Sequence, residues 1–367
     1  MLKLAEIAAA LEQVAPPALQ ESYDNSGLLV GEYNREVSRA LLSLDCTEEV
    51  VEEAVRLQCD LIIAHHPIVF KGLKRLNGKN YVERTVMSAI RNNIALYACH
   101  TNLDNVLRQG VSTHIAEKLG LQNLQILDPK PEQLCKLVVF TPNSHAAQVR
   151  QSLYDAGAGE IGKYDACSFN LAGEGTFRAG EGANPFVGEK GVLHTEAEIR
   201  TEVVLPVIKL NQAVRAMKAV HPYEEVAWDA YPLLNTWDEV GSGIVGLLPE
   251  PLSPEVFLAW LKDRMELQVI RYTRSNLSQI QKVAVCGGAG SFLTGKALAA
   301  GADAYVTADV KYHEFFDAEG RLLLCDIGHY ESEKYTTEIF ARVLSQKFPT
   351  FATIFSTTLT NPIQYHT

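Results

Sequence analysis

Four short apolar runs in this chain stop abruptly at histidine or aspartate, and that repeated break constrains the fold more than any other feature. Asp60-Leu-Ile-Ile-Ala64 runs into His65-His66-Pro67, and Ile94-Ala-Leu-Tyr-Ala-Cys99 into His100-Thr-Asn-Leu-Asp104. The run 304–308 meets Asp309, and Leu322-Leu-Leu-Cys325 meets Asp326-Ile-Gly-His329-Tyr-Glu-Ser-Glu333. Runs this short, apolar throughout rather than alternating, read as strands buried on both faces, the pattern of a parallel sheet covered by helices. Helical patterns stand between them, over residues 47–55, 81–92 and 254–265, and a closing helix is predicted over 332–346. In parallel strands all carboxyl ends lie along one edge, so the polar residues that close each run collect where open α/β sheets place their ligands.

Between residues 131 and 233 the pattern changes. It reads strand 137–140, helix 145–156, a long Gly-rich meander over 157–191, strand 201–205, helix 210–220 and strand 227–231. A strand-helix-strand unit followed by another is the ferredoxin-like arrangement. Pro129, Pro131 and Pro142 on entry, with Pro232 and Gly241-Ser-Gly243 on exit, mark the junctions. A chain of 367 residues has room for two or three domains. The prediction is one α/β domain with a mostly parallel sheet, built from 1–128 and 238–367 and interrupted by an α+β insert at 131–233.

The excess of 44 acidic over 33 basic residues, a net charge of −11, disfavours nucleic acid as a non-specific partner. No apolar run is long enough to span a membrane, and the first residues, with Glu6 and Glu12 at helical spacing, read as an amphipathic helix rather than a signal peptide. The seven cysteines are odd in number, scattered and without Cys-x-x-Cys spacing, the pattern of reduced core thiols in a cytoplasmic protein.

Taken singly, the strand-end residues have ordinary uses. His65-His66 suits a hydrogen-bonded turn, Asp104 a helix cap, and Glu333 the first turn of a helix. His329 and Glu333 are four apart, so they share a helix face. Together, His65, His66, Asp104, His329 and Glu333 form a nitrogen and oxygen ligand set without thiolate, suited to Zn, Mn, Fe, Co or Ni. Five ligands exceed a four-coordinate structural zinc and fit two divalent ions bridged by a carboxylate, an arrangement that activates water for hydrolysis. Gly287, Gly288, Gly290 and Ser291 follow a strand, where they serve either as an anion-binding loop or as a tight turn. His313 is a candidate proton donor or an exposed helix residue, and His100 a group that orients its neighbours. In the insert, His221-Pro-Tyr-Glu-Glu225 reads as a hydrogen-bonded helix-to-strand turn or, less readily, a separate ion site.

The segments Tyr23-Asp-Asn-Ser-Gly-Leu-Leu-Val-Gly31, Ile63-Ala-His-His-Pro67, His100-Thr-Asn-Leu-Asp104, Val283-Ala-Val-Cys-Gly-Gly-Ala-Gly-Ser291, Ala302-Asp-Ala-Tyr-Val-Thr307 and Asp326-Ile-Gly-His-Tyr-Glu-Ser-Glu333 resemble, in order and spacing, the signatures of the Nif-three-like family. That family is also labelled GTP cyclohydrolase I type 2 homologue. The resemblance implies a dinuclear metal site at His65, His66, Asp104, His329 and Glu333, metal-dependent hydrolysis that opens the imidazole ring of GTP or a like nucleotide, and assembly as a homohexamer; a metal-dependent phosphoesterase using the same hydroxide is one alternative. It also implies that the insert is the PII- and CutA-like domain of the family's longer members, with a part in access or assembly. A non-enzymatic metal-responsive scaffold or adaptor is the other alternative. The chain departs from the family at Thr307-Ala308-Asp309, where Gly is usual in the middle position, a difference that matters if the backbone there needs a positive φ.

Overall fold

The computed structural model describes residues 1–366. The chain divides into two compact units, one made of Met1–Pro129 with the chain from Asp238 onward, the other of Lys130–Trp237.

In the first unit Arg39–Ser43, Leu61–Ala64 and Ala95–Ala98 pair in parallel. Every residue of the latter two strands is buried, which is why they are apolar without alternation. The crossover helices Glu48–Arg56 and Tyr81–Arg91 start at Thr47 and Asn80, whose side chains accept from Val50 N and Glu83 N.

The second half builds its own sheet instead of extending the first. Ile280–Ala289, Ala304–Ala308 and Leu323–Asp326 run parallel, with antiparallel partners outside them. The mostly parallel sheet expected from the sequence is therefore two mixed sheets, of five and six strands. An exchange ties them together. Gln122–Pro129, from the first half, forms one edge of the six-stranded sheet, while Ala352–Phe355, near the end of the chain, pairs with Arg39–Ser43 at the edge of the five-stranded one. Both exchanged strands are short of fully buried residues, so neither carries the apolar signal that marked the central strands. The predicted closing helix is also two, His329–Glu333 and Thr336–Lys347.

In the second unit the strands Leu134–Pro142, Phe169–Arg178, Leu193–Pro206 and Trp228–Pro232 form an antiparallel sheet, the last beside the first and the second at the far edge. With helices Ala146–Asp155 and Leu210–Val220 this is the ferredoxin-like order. Val139, Val149, Leu153, Leu205 and Met217 make its core. Phe169–Arg178 lies inside the stretch read as a meander; it is a mostly exposed edge strand, and Gly173 and Gly175 interrupt any strand-like pattern.

All seven cysteines are unpaired, and among the described residues no helix is long and apolar enough to cross a membrane.

A single carboxylate fastens the chain's end to the first unit. Glu53 accepts from the hydroxyls of Ser356, Thr357 and Thr358 at 2.5, 2.6 and 2.8 Å and from Thr357 N at 3.0 Å. Burial pushes its pKa up, but these donors outweigh burial and bring it to about 2. Because folding favours the ionised form, the contribution is complete above the ordinary glutamate pKa of about 4.3 and is lost as pH falls toward the folded value of about 2. Glu53→Gln is expected to lower stability at neutral pH by about 1–3 kcal/mol, with a smaller loss near pH 3. Urea denaturation at both pH values checks this; an equal loss at both would mean that the carboxylate charge is not what holds the segment.

Candidate metal centre

The strand-end residues meet within the first unit. His65 and His66 follow Leu61–Ala64, Asp104 closes the one-turn helix Thr101–Asp104, and His329 and Glu333 stand one turn apart on His329–Glu333. Glu333 is 2 % exposed and His65 fully buried.

Glu333 lies between two groups of ligand atoms. His66 Nε2 and His329 Nε2 are 2.9 and 3.0 Å from its Oε2 and 3.4 Å from each other. On the other side, His65 Nε2 is 3.7 Å from Glu333 Oε1 and 3.6 Å from Asp104 Oδ1. Atoms around one ion at bond lengths near 2.1 Å stand about 3–3.5 Å apart, so the first trio has that spacing and the second is slightly wider. His65, His66 and His100 form a third group able to hold a metal ion.

Contacts behind the rings of His65, His66, His100 and His329 engage each at Nδ1. His65 Nδ1 meets the Cys99 carbonyl at 2.8 Å, and His66 Nδ1 meets Asp45 Oδ1 at 2.7 Å. His100 Nδ1 meets Asp24 Oδ1 at 2.7 Å, and His329 Nδ1 meets Asp309 Oδ2 at 2.8 Å. Each ring thus presents Nε2 inward, the arrangement in which protein groups orient metal-binding histidines. Yet His65 Nε2, Asp104 Oδ1 and Glu333 Oε2 are buried without an aligned hydrogen-bond partner. For His65 Nε2 and Asp104 Oδ1 such isolation costs about 1–3 kcal/mol each, a penalty that a cation among them removes, whereas Glu333 Oε2 keeps its ion pairs with His66 and His329.

The charges ask for the same thing. Burial and the nearby Glu333 charge push the Asp104 carboxyl well up. Burial opposes ionisation of Glu333 too, but His329, His65 and His66 hold it well below the usual range. Burial lowers His65, keeping it neutral. In His66 and His329 burial acts the same way but loses to the carboxylates, which raise them to about 10 and about 9. Without an ion, protons on two imidazoles balance the acids.

Gly287-Gly-Ala-Gly-Ser291 closes over the centre. Gly288 has φ +62°, and a Cβ there would collide with Glu333 Oε1. The amides of Gly288 and Gly290 donate to Ser332 Oγ and Thr307 Oγ1 at 2.9 and 3.1 Å, and that of Gly287 to Ser112 Oγ at 3.4 Å. Ser291 opens a 3-10 turn, Ser291–Leu293. His313 is exposed, its ring against Tyr312, and is not among the residues whose ligand atoms gather here. The positive φ near Ala308 belongs to Asp309, at 55°, so Ala308 stays in its strand without strain. Asp24 and Asp45 escaped the sequence reading. Asp45 follows the strand Arg39–Ser43 as the histidines follow theirs, so the same strand-end rule applied to that run would have found it. In the second unit His221 is a satisfied turn residue, its Nε2 donating to the Phe140 carbonyl and its Nδ1 accepting from Tyr223 N.

The centre opens on two sides. A cleft of about 580 Å³ is bounded by Tyr23, Asp104, Gly287, Phe292, His329 and Glu333, and another of about 610 Å³ by His66, Phe70, Tyr81 and Thr360.

Residues 2–362 match the family model Duf34/NIF3 (NGG1p interacting factor 3). The chain belongs to that family. It is 42 % identical over 321 residues to the "GTP cyclohydrolase 1 type 2 homolog" of Halalkalibacterium halodurans, covering 87 % of this chain and 86 % of that one. The protein of the same name from Bacillus subtilis is 39 % identical, with 91 % and 90 % covered. Among solved structures, a Bacillus cereus protein related to NIF3 superposes with a TM-score of 0.85 at 37 % identity, covering 100 % of this chain and 99 % of that one.

Asp45→Asn and Asp309→Asn leave ligand atoms in place but weaken their orientation. Each is expected to reduce affinity for Zn or Mn about 10–100-fold with an unchanged circular dichroism spectrum. Competition with a chromogenic chelator checks this.

Proposed function

We propose that this Duf34/NIF3 protein is a metal-dependent hydrolase in which His65, His66, Asp104, His329 and Glu333 would hold two divalent ions. The observation that carries the reading is the gathering of ligand atoms around one buried carboxylate, with His65 Nε2 and Asp104 Oδ1 unpartnered on one side, His66 Nε2 and His329 Nε2 against Glu333 Oε2 on the other, and each imidazole locked with Nε2 inward. The absence of thiolate from that set favours Zn, Mn, Fe, Co or Ni. Ions so placed supply Lewis acidity and make water ionise near neutral pH.

The remaining work falls to the chain. Asp45, Asp309 and the Cys99 carbonyl hold the rings. Glu333, pinned beneath Gly288, keeps the two halves of the centre in register. The 580 Å³ cleft has the size of a small-molecule site, and its exposed Tyr23 and Phe292 offer faces on which a base can stack. These features, with the relatives' printed name, support a nucleotide as substrate. Opening of a purine imidazole ring releases formate, whereas phosphoester cleavage releases phosphate. The homohexamer implied by the resemblance is part of the same proposal, and light scattering tests it.

Glu333→Ala removes a ligand common to both ions and is expected to lower bound metal more than His65→Ala or His329→Ala does; elemental analysis of the purified variants measures this. Unchanged metal content in all three would end the assignment. Metal uptake displaces protons from His66 and His329, and from Asp104 where it is protonated, so binding is expected to release roughly two to three protons near neutral pH and to weaken as pH falls. Calorimetry in buffers of different ionisation enthalpy reads that number. Hydrolysis of GTP or a phosphoester is expected to rise between about pH 6 and 8, to stop with a chelator and to return with Mn or Zn. Turnover absent at every pH, with the chelator changing only assembly, would favour the adaptor reading.

A further inference from the structure

A separate cavity of about 630 Å³ lies in the ferredoxin-like unit. It opens on the sheet face away from the helices. Val139, Val203 and Leu205 point into the core under the helices, whereas Phe140, Glu198 and Arg200, at positions of opposite parity, line the cavity. Its walls are aromatic: Tyr223 stands 6.0 Å from Phe177 and 6.4 Å from Phe186, ring centre to ring centre. The segment carrying Phe186 is fastened over it, Asn184 N donating to Glu224 Oε1 at 2.7 Å.

The polar group of this aromatic chamber is Glu198, 9 % exposed. Its Oε1 accepts from Tyr223 OH at 2.9 Å. Its Oε2 makes no hydrogen bond among the described residues and occupies space that a Cβ on Gly175 would fill. Glu174, Glu224 and Glu225 add negative charge around the cavity. Of its two arginines, Arg200 pairs through Nη2 with Glu202 Oε1 at 2.9 Å and lies over the Phe140 ring, its buried Nε left without a partner, while Arg178 is exposed, so the carboxylates around the cavity outnumber the cations. An anionic ligand would meet Glu198 in a poorly hydrated setting, and a neutral apolar one would leave Oε2 without a donor. A cation satisfies the carboxylate and gains from the ring faces.

We propose that this cavity binds a small organic cation with a flat aromatic body, of the arylalkylamine class, its ammonium on Glu198 and its ring laid against the wall formed by Phe177, Phe186 and Tyr223. The site is independent of the metal centre and of the reaction proposed there.

Tryptamine and indole-3-acetate share a ring and similar size but carry opposite charge, which makes them suitable probes. Titrated into the full chain by calorimetry, tryptamine is expected to bind at one site per chain and indole-3-acetate not to bind. Glu198→Gln, close in shape, is expected to weaken tryptamine about tenfold or more, and Phe177→Ala to weaken it as well; circular dichroism and thermal unfolding verify that both variants are folded. Absence of tryptamine binding, equal binding of both probes, or undiminished binding by Glu198→Gln would overturn the proposal. So would a solution mass that drops on Phe177→Ala while neither probe binds, since the cavity would then belong to the contact with a second copy of the chain.

Discussion

The centre depends on one buried carboxylate. Glu333 sits with His65 on one side and His66 and His329 on the other, in surroundings from which water is almost entirely removed. A carboxylate in such a place persists only if positive charge accompanies it. That requirement accounts for the raised His66 and His329, and for Asp104, which resists ionising beside it. It also accounts for the glycine loop. Glu333 can occupy the middle of the cluster because Gly288 has no side chain, and Ser332, its neighbour in the helix, accepts the Gly288 amide while donating to the His329 carbonyl. The helix of five residues is thus held by the loop it supports.

How much of this was legible follows from where burial is strongest. Strands buried on both faces wrote uninterrupted apolar runs, and each ended at the residue that the fold carries to the cluster, so His65, His66, Asp104, His329 and Glu333 could be grouped from the sequence. The strands Gln122–Pro129, Phe169–Arg178 and Ala352–Phe355 lie at sheet edges and owe their conformation to partners distant in the chain or to an exposed hairpin, leaving little local pattern. The groups behind the histidines were harder still. Asp24 reaches His100 from 76 residues away, and an aspartate before a turn has many commoner uses.

The histidine supports come from scattered parts of the first unit, and one of them is itself supported. Asp45 Oδ2 accepts from Thr360 Oγ1 at 2.5 Å while its Oδ1 faces His66. The segment after Ala352–Phe355 therefore passes from Glu53 to Asp45 and on to Glu331, which accepts from Asn361. Irregular though it is, this tail is bound at three carboxylates and contributes to the stiffness of the imidazole nearest it.

The exchange of edge strands also bears on how the protein is made. The strand Arg39–Ser43 leaves the ribosome early, but its outer neighbour, Ala352–Phe355, is synthesised some 310 residues later. At about 5–20 residues per second that interval is of the order of 15–60 s. During it the edge of a parallel sheet stands open, the state most inclined to pair with another chain. The ferredoxin-like unit, contiguous from Lys130 to Trp237, can complete its own sheet in the meantime. His65 and His66 wait for His329 and Glu333 over most of that interval, so the cluster is among the last parts of the nascent molecule to close.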